Sequence, residues 1–322
     1  MARGKLKIGM PITPDITVLG VVDDGGRDAV YLVWDHRAWC PMACKVYELA
    51  SDALHEVTVL LALEHPNIVR SLGAGSPGYV LMEFLDGPTL KQLFQSRKEG
   101  RLSLSNAMRI AIYIASALVH MHSRGYLHLD VKPSNIVIYR GRPVLFDLGT
   151  ARLCSQPRLN CSVGTNDYMA PEQCEHGSVS PASDVFGFGV TLYQVLTGKL
   201  PFPEERSAIF FPQTRGGATP LRTYLPRAPR SLEALLLACM DYSASARPTF
   251  KELLPALHQF IYTGPKMWPA SFDPAQKTVP TSRLKDPDDS SSPAPSPCQR
   301  TPPQRSRGNF PGAAGVGSRH GS

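Results

Sequence analysis

The hydrophobic period changes near Thr89, and that change limits what the chain can fold into. From Ile16 to Phe84 short β-type runs (ITVLGVV, AVYLVW, MACKVY and YVLMEF) surround one helical stretch, DALHEVTVLLALEH, whose Leu54, Val57, Leu60 and Leu61 fall on one face. From about Thr89 to Tyr262 the period becomes mostly helical, as in SNAMRIAIYIASALVHMHSRG and SLEALLLACMDYSASARPTFKELLPALHQFIY. Strands segregated ahead of helices predict an α+β fold, a small sheet with one helix against it followed by a larger helical lobe. Beyond Thr263 the texture changes again, to PAPSPCQRTPPQRSRG and GAAGVGSRHGS, with too few apolar side chains to offset the entropy of ordering them. Residues 15–262 are therefore expected to fold, with 1–14 as an N-terminal extension and 263–322 as a disordered Pro-, Ser- and Arg-rich tail.

The formal charge of +7 points to an acidic partner until it is divided along the chain. Residues 263–322 carry eight Lys and Arg against four acids, so +4 belongs there and only +3 to the first 262 residues. The body is nearly balanced and has no clustered basic stripe, which argues against nucleic-acid binding. Seven cysteines, with no C-x-x-C pair and no His at metal spacing, read as reduced thiols of a cytoplasmic protein. The start MARGKLKIGMPITPD has no apolar run of a leader, and Ala2 stands where N-myristoylation needs Gly. The most apolar long segment, DVFGFGVTLYQVLTG at 184–198, is too short to span a bilayer and contains Asp184, so a buried helix is expected and no membrane span.

Two polar clusters interrupt the apolar pattern of the body. HLDVKPSN at 128–135 sets Asp130, Lys132 and Asn135 between apolar GYL and IVI, and VLFDLGTA at 144–151 ends a β-type run in Asp147, Leu148 and Gly149. Two acids and an amide at strand ends suit a hard cation shared with phosphates, making Asn135 and Asp147 a plausible magnesium pair. Asp130 is then placed to accept a proton from an attacking hydroxyl, and Lys132 to neutralise a phosphoryl group in transit. A polar loop between two elements is the plain alternative for either cluster alone.

Taken in order, the residues resemble the protein kinase family. The chain runs MACK at 42–45, Glu56, HPNIV at 65–69, VLMEF at 80–84, HLDVKPSN, DLG at 147–149, GTNDYMAPE at 164–172, DVFGFG at 184–189 and ARPT at 246–249. The resemblance covers about residues 15–262, and GT-x-x-YMAPEQ is most similar to bacterial-type serine/threonine kinases. It implies a two-lobed fold, with an N-lobe over 15–83, a hinge at 84–87 and a C-lobe over 88–262. It implies ATP and Mg2+ as cofactors and protein serine or threonine hydroxyls as acceptors.

Residue by residue, the resemblance makes Lys45 the strand lysine on the α- and β-phosphates and Glu56 its helix partner. Asp130 becomes the catalytic base, assisted by Lys132 and Thr165, and Asn135 and Asp147 the metal ligands. Val22, Gly25, Val30 and Ala43 would line the top of a nucleotide cleft, with Met82 behind it and Val137 beneath. Backbone groups of Glu83 and Leu85 would meet adenine. Glu172 is expected to pair with Arg247, and Asp184 to hold the backbone of the loop around Asp130.

Three departures stand out. The glycine-rich loop aligns on Val30 and places Asp23, Gly25 and Asp28 at its glycine positions, so two of three glycines are lost, with added bulk and like charge beside the phosphates. Leu129 stands where most of the family has Arg, which implies activity without a phosphorylated activation loop. Leu148 replaces the usual Phe, a swap of similar volume. The altered loop keeps a pseudokinase, a binding module in kinase form, as the alternative to an enzyme, and small-molecule phosphotransfer as a third.

Overall fold

The computed structural model describes residues 6–23, 28–75, 78–159, 161–202, 211–214 and 216–261. Six strands form one antiparallel sheet: β1 (Pro11–Thr13), β2 (Ile16–Asp23), β3 (Ala29–Asp35), β4 (Cys40–Val46), β5 (Ser71–Gly75) and β6 (Tyr79–Glu83), in the order β1-β2-β3-β4-β6-β5. Four of them are the expected β-type runs. β1 lies within the segment expected as an extension, and β5, SLGAG, carries no alternation that would announce it.

Register sorts the side chains of the sheet. Val30 stands opposite Lys45, Lys45 opposite Val80, and Ala43 opposite Met82, so these five share one face. The other face buries Val18, Tyr31, Val33, Met42, Cys44 and Leu81, and Leu6 and Ile12 pack against it. Burial raises the Cys44 thiol to about 12, and the same cause takes Cys174 and Cys239 to about 12, which keeps these thiols unreactive.

Helix α1 (Ala50–Ala62) packs on the Lys45 face, but not by the stripe its leucines suggest. Leu54 and Leu61 are 66% and 73% exposed, while Ala53, Glu56, Val57 and Leu60 are buried. These four are spaced i, i+3, i+4, i+7, as one helix face requires, and Val59 beside them is buried too. Of the four apolar residues expected on one face, Val57 and Leu60 are buried and Leu54 and Leu61 are not, because the buried stripe is completed by a small residue and an acid.

The remaining elements form a helical lobe: α2 (Leu90–Gln95), α3 (Leu104–Ser123), α4 (Pro171–Cys174), α5 (Pro181–Thr197), α6 (Leu221–Tyr224), α7 (Arg230–Cys239) and α8 (Phe250–Ile261). Two short ribbons join it, β7 (Tyr126–Leu127) with β10 (Arg152–Leu153) and β8 (Ile136–Tyr139) with β9 (Arg142–Leu145). The helix starts follow local chemistry. Thr89 caps α2 through a capping box with Gln92, Ser103 Oγ accepts from Asn106 N, and Ser180 precedes Pro181 at the start of α5. Helix α5 is buried nearly all round and forms the axis of the lobe. Helix α3 is long and apolar enough by length and composition to cross a membrane, a test the 184–198 run was expected to come nearest to. In the fold its Met108, Ile114, Leu118 and Met121 are fully buried, and it packs on α5 and α8.

Two of the backbone approaches between sheet and lobe set the frame of the site. Leu145 exchanges backbone bonds with Asn67 and Val69, and Asn67 Nδ2 donates to Pro143 O at 2.7 Å, which ties β9 to the chain leaving α1. At residues 84–87, Gly87 approaches β8 so closely that a Cβ would lie 2.3 Å from Ile138 O. Only glycine fits there.

Candidate active site

Strand alternation points Lys45 and Tyr47 to the same side, toward α1. Lys45 Nζ donates to Glu56 Oε2 at 2.9 Å and to Asp147 Oδ1 at 2.7 Å. Glu56 is wholly buried. Its Oε2 also accepts from Tyr47 Oη, and its Oε1 from Leu148 N at 3.2 Å. Burial by itself would discharge Lys45, but the Glu56 and Asp147 carboxylates outweigh it and raise its pKa above the ordinary range, so it remains a cation. Burial likewise opposes ionisation of Asp147. The Lys45 ammonium overcomes that and holds the carboxyl below its usual value, a balance eased by the 38% of the side chain still open to water.

Asp130 is the meeting point of the second cluster. Its Oδ2 accepts from Lys132 Nζ at 2.7 Å and from Asn135 Nδ2 at 3.0 Å, and its Oδ1 accepts from Thr165 Oγ1 at 2.8 Å. Lys132 Nζ also donates to Thr165 Oγ1 at 2.6 Å. Asn135 Nδ2 donates further to Asp130 O at 3.0 Å, so both amide hydrogens are engaged and the amide oxygen is the atom left to coordinate. The loop is held from beneath by Asp184, whose Oδ1 accepts from Leu129 N at 2.7 Å and Oδ2 from His128 N at 2.9 Å and His122 Nε2 at 2.8 Å. Burial would raise the Asp184 pKa, yet His122 and the loop donors outweigh it and lower it.

Residues 152–159 and 161–174 cover this loop. Gly164 sits at φ 115°, and a Cβ there would meet Leu129 O at 2.6 Å, so this glycine allows both the turn and the close approach. Gln173 Nε2 donates to Leu129 O at 2.9 Å and Val163 O at 2.7 Å. Leu129 itself is 3% exposed, in an apolar cluster with Leu127, Leu159 and Val179 against which Cys154 and Val163 pack. Glu172 receives both Nη1 and Nη2 of Arg247, at 2.7 and 2.9 Å. Gln213 Nε2 donates to Asn166 O at 2.7 Å and Met169 O at 3.1 Å, bracing the same segment from the far side.

The structure thus brings together Lys45, Glu56 and Asp147, and separately Asp130, Lys132, Asn135 and Thr165. Val30, Ala43 and Met82 share the Lys45 face, Val137 is buried in β8, Glu83 ends β6, and Leu85 lies in the connection at 84–87. Val22 is the last residue but one of β2, at 54% exposure, and Gly25 lies outside the described residues. Asp28 turns toward the β4–α1 link, where its Oδ1 accepts from Glu48 N at 3.2 Å. Among the described residues no three His, Cys, Asp or Glu side chains gather as metal ligands. One carboxylate and one amide oxygen still suit magnesium, which keeps waters and shares phosphate oxygens. Tyr47, Gln173 and Gln213 escape sequence reasoning. For Tyr47 the signal was its i+2 spacing from Lys45.

The protein kinase domain profile matches residues 17–261. The chain belongs to the protein kinase family. It is 30% identical over 246 residues to the serine/threonine-protein kinase PrkC of Bacillus subtilis, covering 71% of this chain and 38% of that protein. The serine/threonine-protein kinase PkaA of Streptomyces coelicolor is 35% identical over 226 residues, 65% of this chain and 41% of its own. A mitogen-activated protein kinase kinase kinase 7-like protein of Drosophila melanogaster is 29% identical over 229 residues, 66% of this chain and 58% of its own. The kinase chain described here therefore spans less than two thirds of the length of these relatives. The two-lobed α+β architecture is that of the family.

Proposed function

We propose that the chain is a serine/threonine protein kinase that moves the γ-phosphoryl of ATP to a protein hydroxyl. The observation that carries this reading is the set of bonds around Asp130, which fixes its carboxylate between Lys132, Asn135 and Thr165. Adenine would lie between Val30 and Ala43 above and Val137 below, near Met82. The N–H of Glu83 is spent on Arg70 O at 3.1 Å, so its carbonyl and the backbone of Leu85 are the groups that face the base. Lys45, held by Glu56, would neutralise the α- and β-phosphates. Magnesium, when bound by Asn135 and Asp147, would supply charge neutralisation between the β- and γ-phosphates.

Asp130 orients the acceptor hydroxyl and takes its proton as the oxygen bonds to the γ-phosphorus. The bond to the β–γ bridging oxygen breaks, and ADP departs. Lys132 would meet the charge developing on the transferred group, and Thr165 keeps Lys132 and Asp130 aligned. The pairing of Lys132 with Thr165 favours serine and threonine acceptors, by the family's pattern. The domain is proposed to run over 15–262 with its hinge at 84–87; the 263–322 segment expected as a tail lies outside the described residues.

Transfer from labelled ATP to a general protein substrate tests the reading, with Asp130→Asn as control. Turnover lost in the variant, with ATP binding kept, supports it. Absence of transfer by the native chain with ATP bound would leave the pseudokinase, and transfer only to small molecules the third reading.

A further inference from the structure

Glu56 is a buried carboxylate at the junction of α1, β4 and the segment after β9, and Lys45 alone does not account for its contacts. Oε1 takes Leu148 N, Oε2 takes Lys45 Nζ, and Oε2 also takes the hydroxyl of Tyr47. Tyr47 is 2% exposed, stands two residues after Lys45, and presents its ring face to the Lys45 ammonium at 5.1 Å. Its backbone N–H is fixed on Gly78 O at 3.0 Å, so the side chain projects from an anchored strand end.

We propose that Tyr47 is a positioning residue that holds Glu56, and with it α1, in the arrangement that presents Lys45 to nucleotide. The inference rests on the kinase reading only for the word nucleotide; the holding of α1 stands apart from it. Helix α1 gains from such a tie because, apart from Asp52 in its first turn, its own ends give little help. Its N-cap position, Leu49, makes no side-chain cap bond, and no basic residue occupies its last turn. What fastens the helix is the burial of Ala53, Val57 and Leu60, the bond from His55 Nε2 to Ala151 O at 2.8 Å, and the bonds at Glu56. A tyrosine hydroxyl serves well because burial, then the adjacent Glu56 charge, raise its pKa above the ordinary range and keep it a donor.

The experiment is a double-mutant cycle of Tyr47→Phe and Glu56→Ala, read by amide hydrogen exchange across residues 50–62, with Kd for Mg·ATP by calorimetry and steady-state kinetics beside it. Phenylalanine keeps the ring and its packing and removes only the hydroxyl. Loss of a charge-assisted bond predicts about tenfold faster exchange in α1. Affinity for Mg·ATP should fall several-fold, with KM for the protein substrate nearly unchanged and the thermal midpoint lowered by only about 3–6 °C. In the Glu56→Ala background the same substitution should change exchange less than about twofold, because its partner is gone. Equal effects in the two backgrounds, or native exchange in Tyr47→Phe, would overturn the proposal. A native chain that transfers no phosphate defeats the kinase reading instead, and the exchange cycle still decides the role of Tyr47.

Discussion

Leu129 offers the sharpest test of how the segment over the catalytic loop is held. Its side chain is almost fully withdrawn from water among Leu127, Leu159 and Val179, with Cys154 and Val163 at the edge. Burial of a leucine contributes roughly 1.5–3 kcal/mol. Truncation to alanine costs roughly 2–5 kcal/mol once the cavity is included. This cluster is small and borders an exposed segment that can relax, so we take about 3 kcal/mol, near the lower end. For a domain of this size that is a fall of roughly 6–12 °C in thermal midpoint.

Much of the loss should be local, because Cys154, Leu159 and Val163 belong to the covering segment while Leu127 and Leu129 belong to the loop. Leu129→Ala is therefore expected to speed hydrogen exchange over 152–163 and to lower phosphotransfer, with Leu129→Met, close in volume, retaining both. Because apolar packing does the holding, Ser155→Ala and Ser162→Ala, both at exposed positions, should keep activity within about twofold. A tenfold loss at either serine, or native exchange over 152–163 in Leu129→Ala, would refute the reasoning.

Other expectations follow from single contacts. Arg247→Ala strips a fully buried guanidinium from Glu172 and should cost roughly 3–5 kcal/mol, measurable as a lower urea midpoint. The His65 and His120 rings meet at a tilt with centroids 5.4 Å apart, and each has its pKa lowered, first by burial and then by a neighbouring basic group, His120 for His65 and Arg124 for His120, with Glu64 opposing at His120. Below the unfolded histidine value the unfolded chain binds protons that the fold refuses, so stability should decline as pH falls through about 6.5. His120→Gln should flatten that decline in denaturation midpoints taken between pH 5 and 8. Asp28→Asn keeps the bond to Glu48 N and removes a charge that faces solvent, so ATP affinity should rise by no more than about fourfold, the effect of ~0.8 kcal/mol at a dielectric near 80. A larger gain would place the carboxylate over the phosphates.

Much of the site was legible because the motifs are local. Asp130, Lys132 and Asn135 lie within six residues, and the turn that carries them also fixes their mutual geometry, so the spacing already held the arrangement. The pairing of Lys45 with Glu56 was legible only through resemblance, since nothing in either residue announces a partner eleven positions away. The stripe of α1 was only half legible for the same reason: Val57 and Leu60 are buried as expected, but Glu56 is buried because a cation and a phenol await it, which no local pattern records. Tyr47, Gln173 and Gln213 act through partners brought by tertiary folding; the i+2 spacing of Tyr47 from Lys45 puts it on the right face without naming its partner, and a lone Gln carries no periodic signal. Strand β5 was hidden by its glycines, and β1 by its three-residue length.

Two backbone strains and two buried carboxylates show how the halves of the site depend on each other. Leu129 and Asp147 both adopt left-handed conformations, at φ 65° and 62°, which for side chains of this kind are costly unless the surroundings impose them. In each case a carboxylate from a distant helix captures the N–H at the turn: Asp184 of α5 takes Leu129 N, and Glu56 of α1 takes Leu148 N. The two captures differ in where they are rooted. Asp184 is wholly buried within the helical lobe, so the turn that aims Asp130 is as firm as that lobe's core. Glu56 rides on a helix packed against the sheet, so the turn that aims Asp147 is as firm as the docking of α1. A shift of α1 would then loosen Lys45 and Asp147 together and leave Asp130 in place. Substitutions at Glu56 should for that reason reach nucleotide handling first, and substitutions at Asp184 the fold.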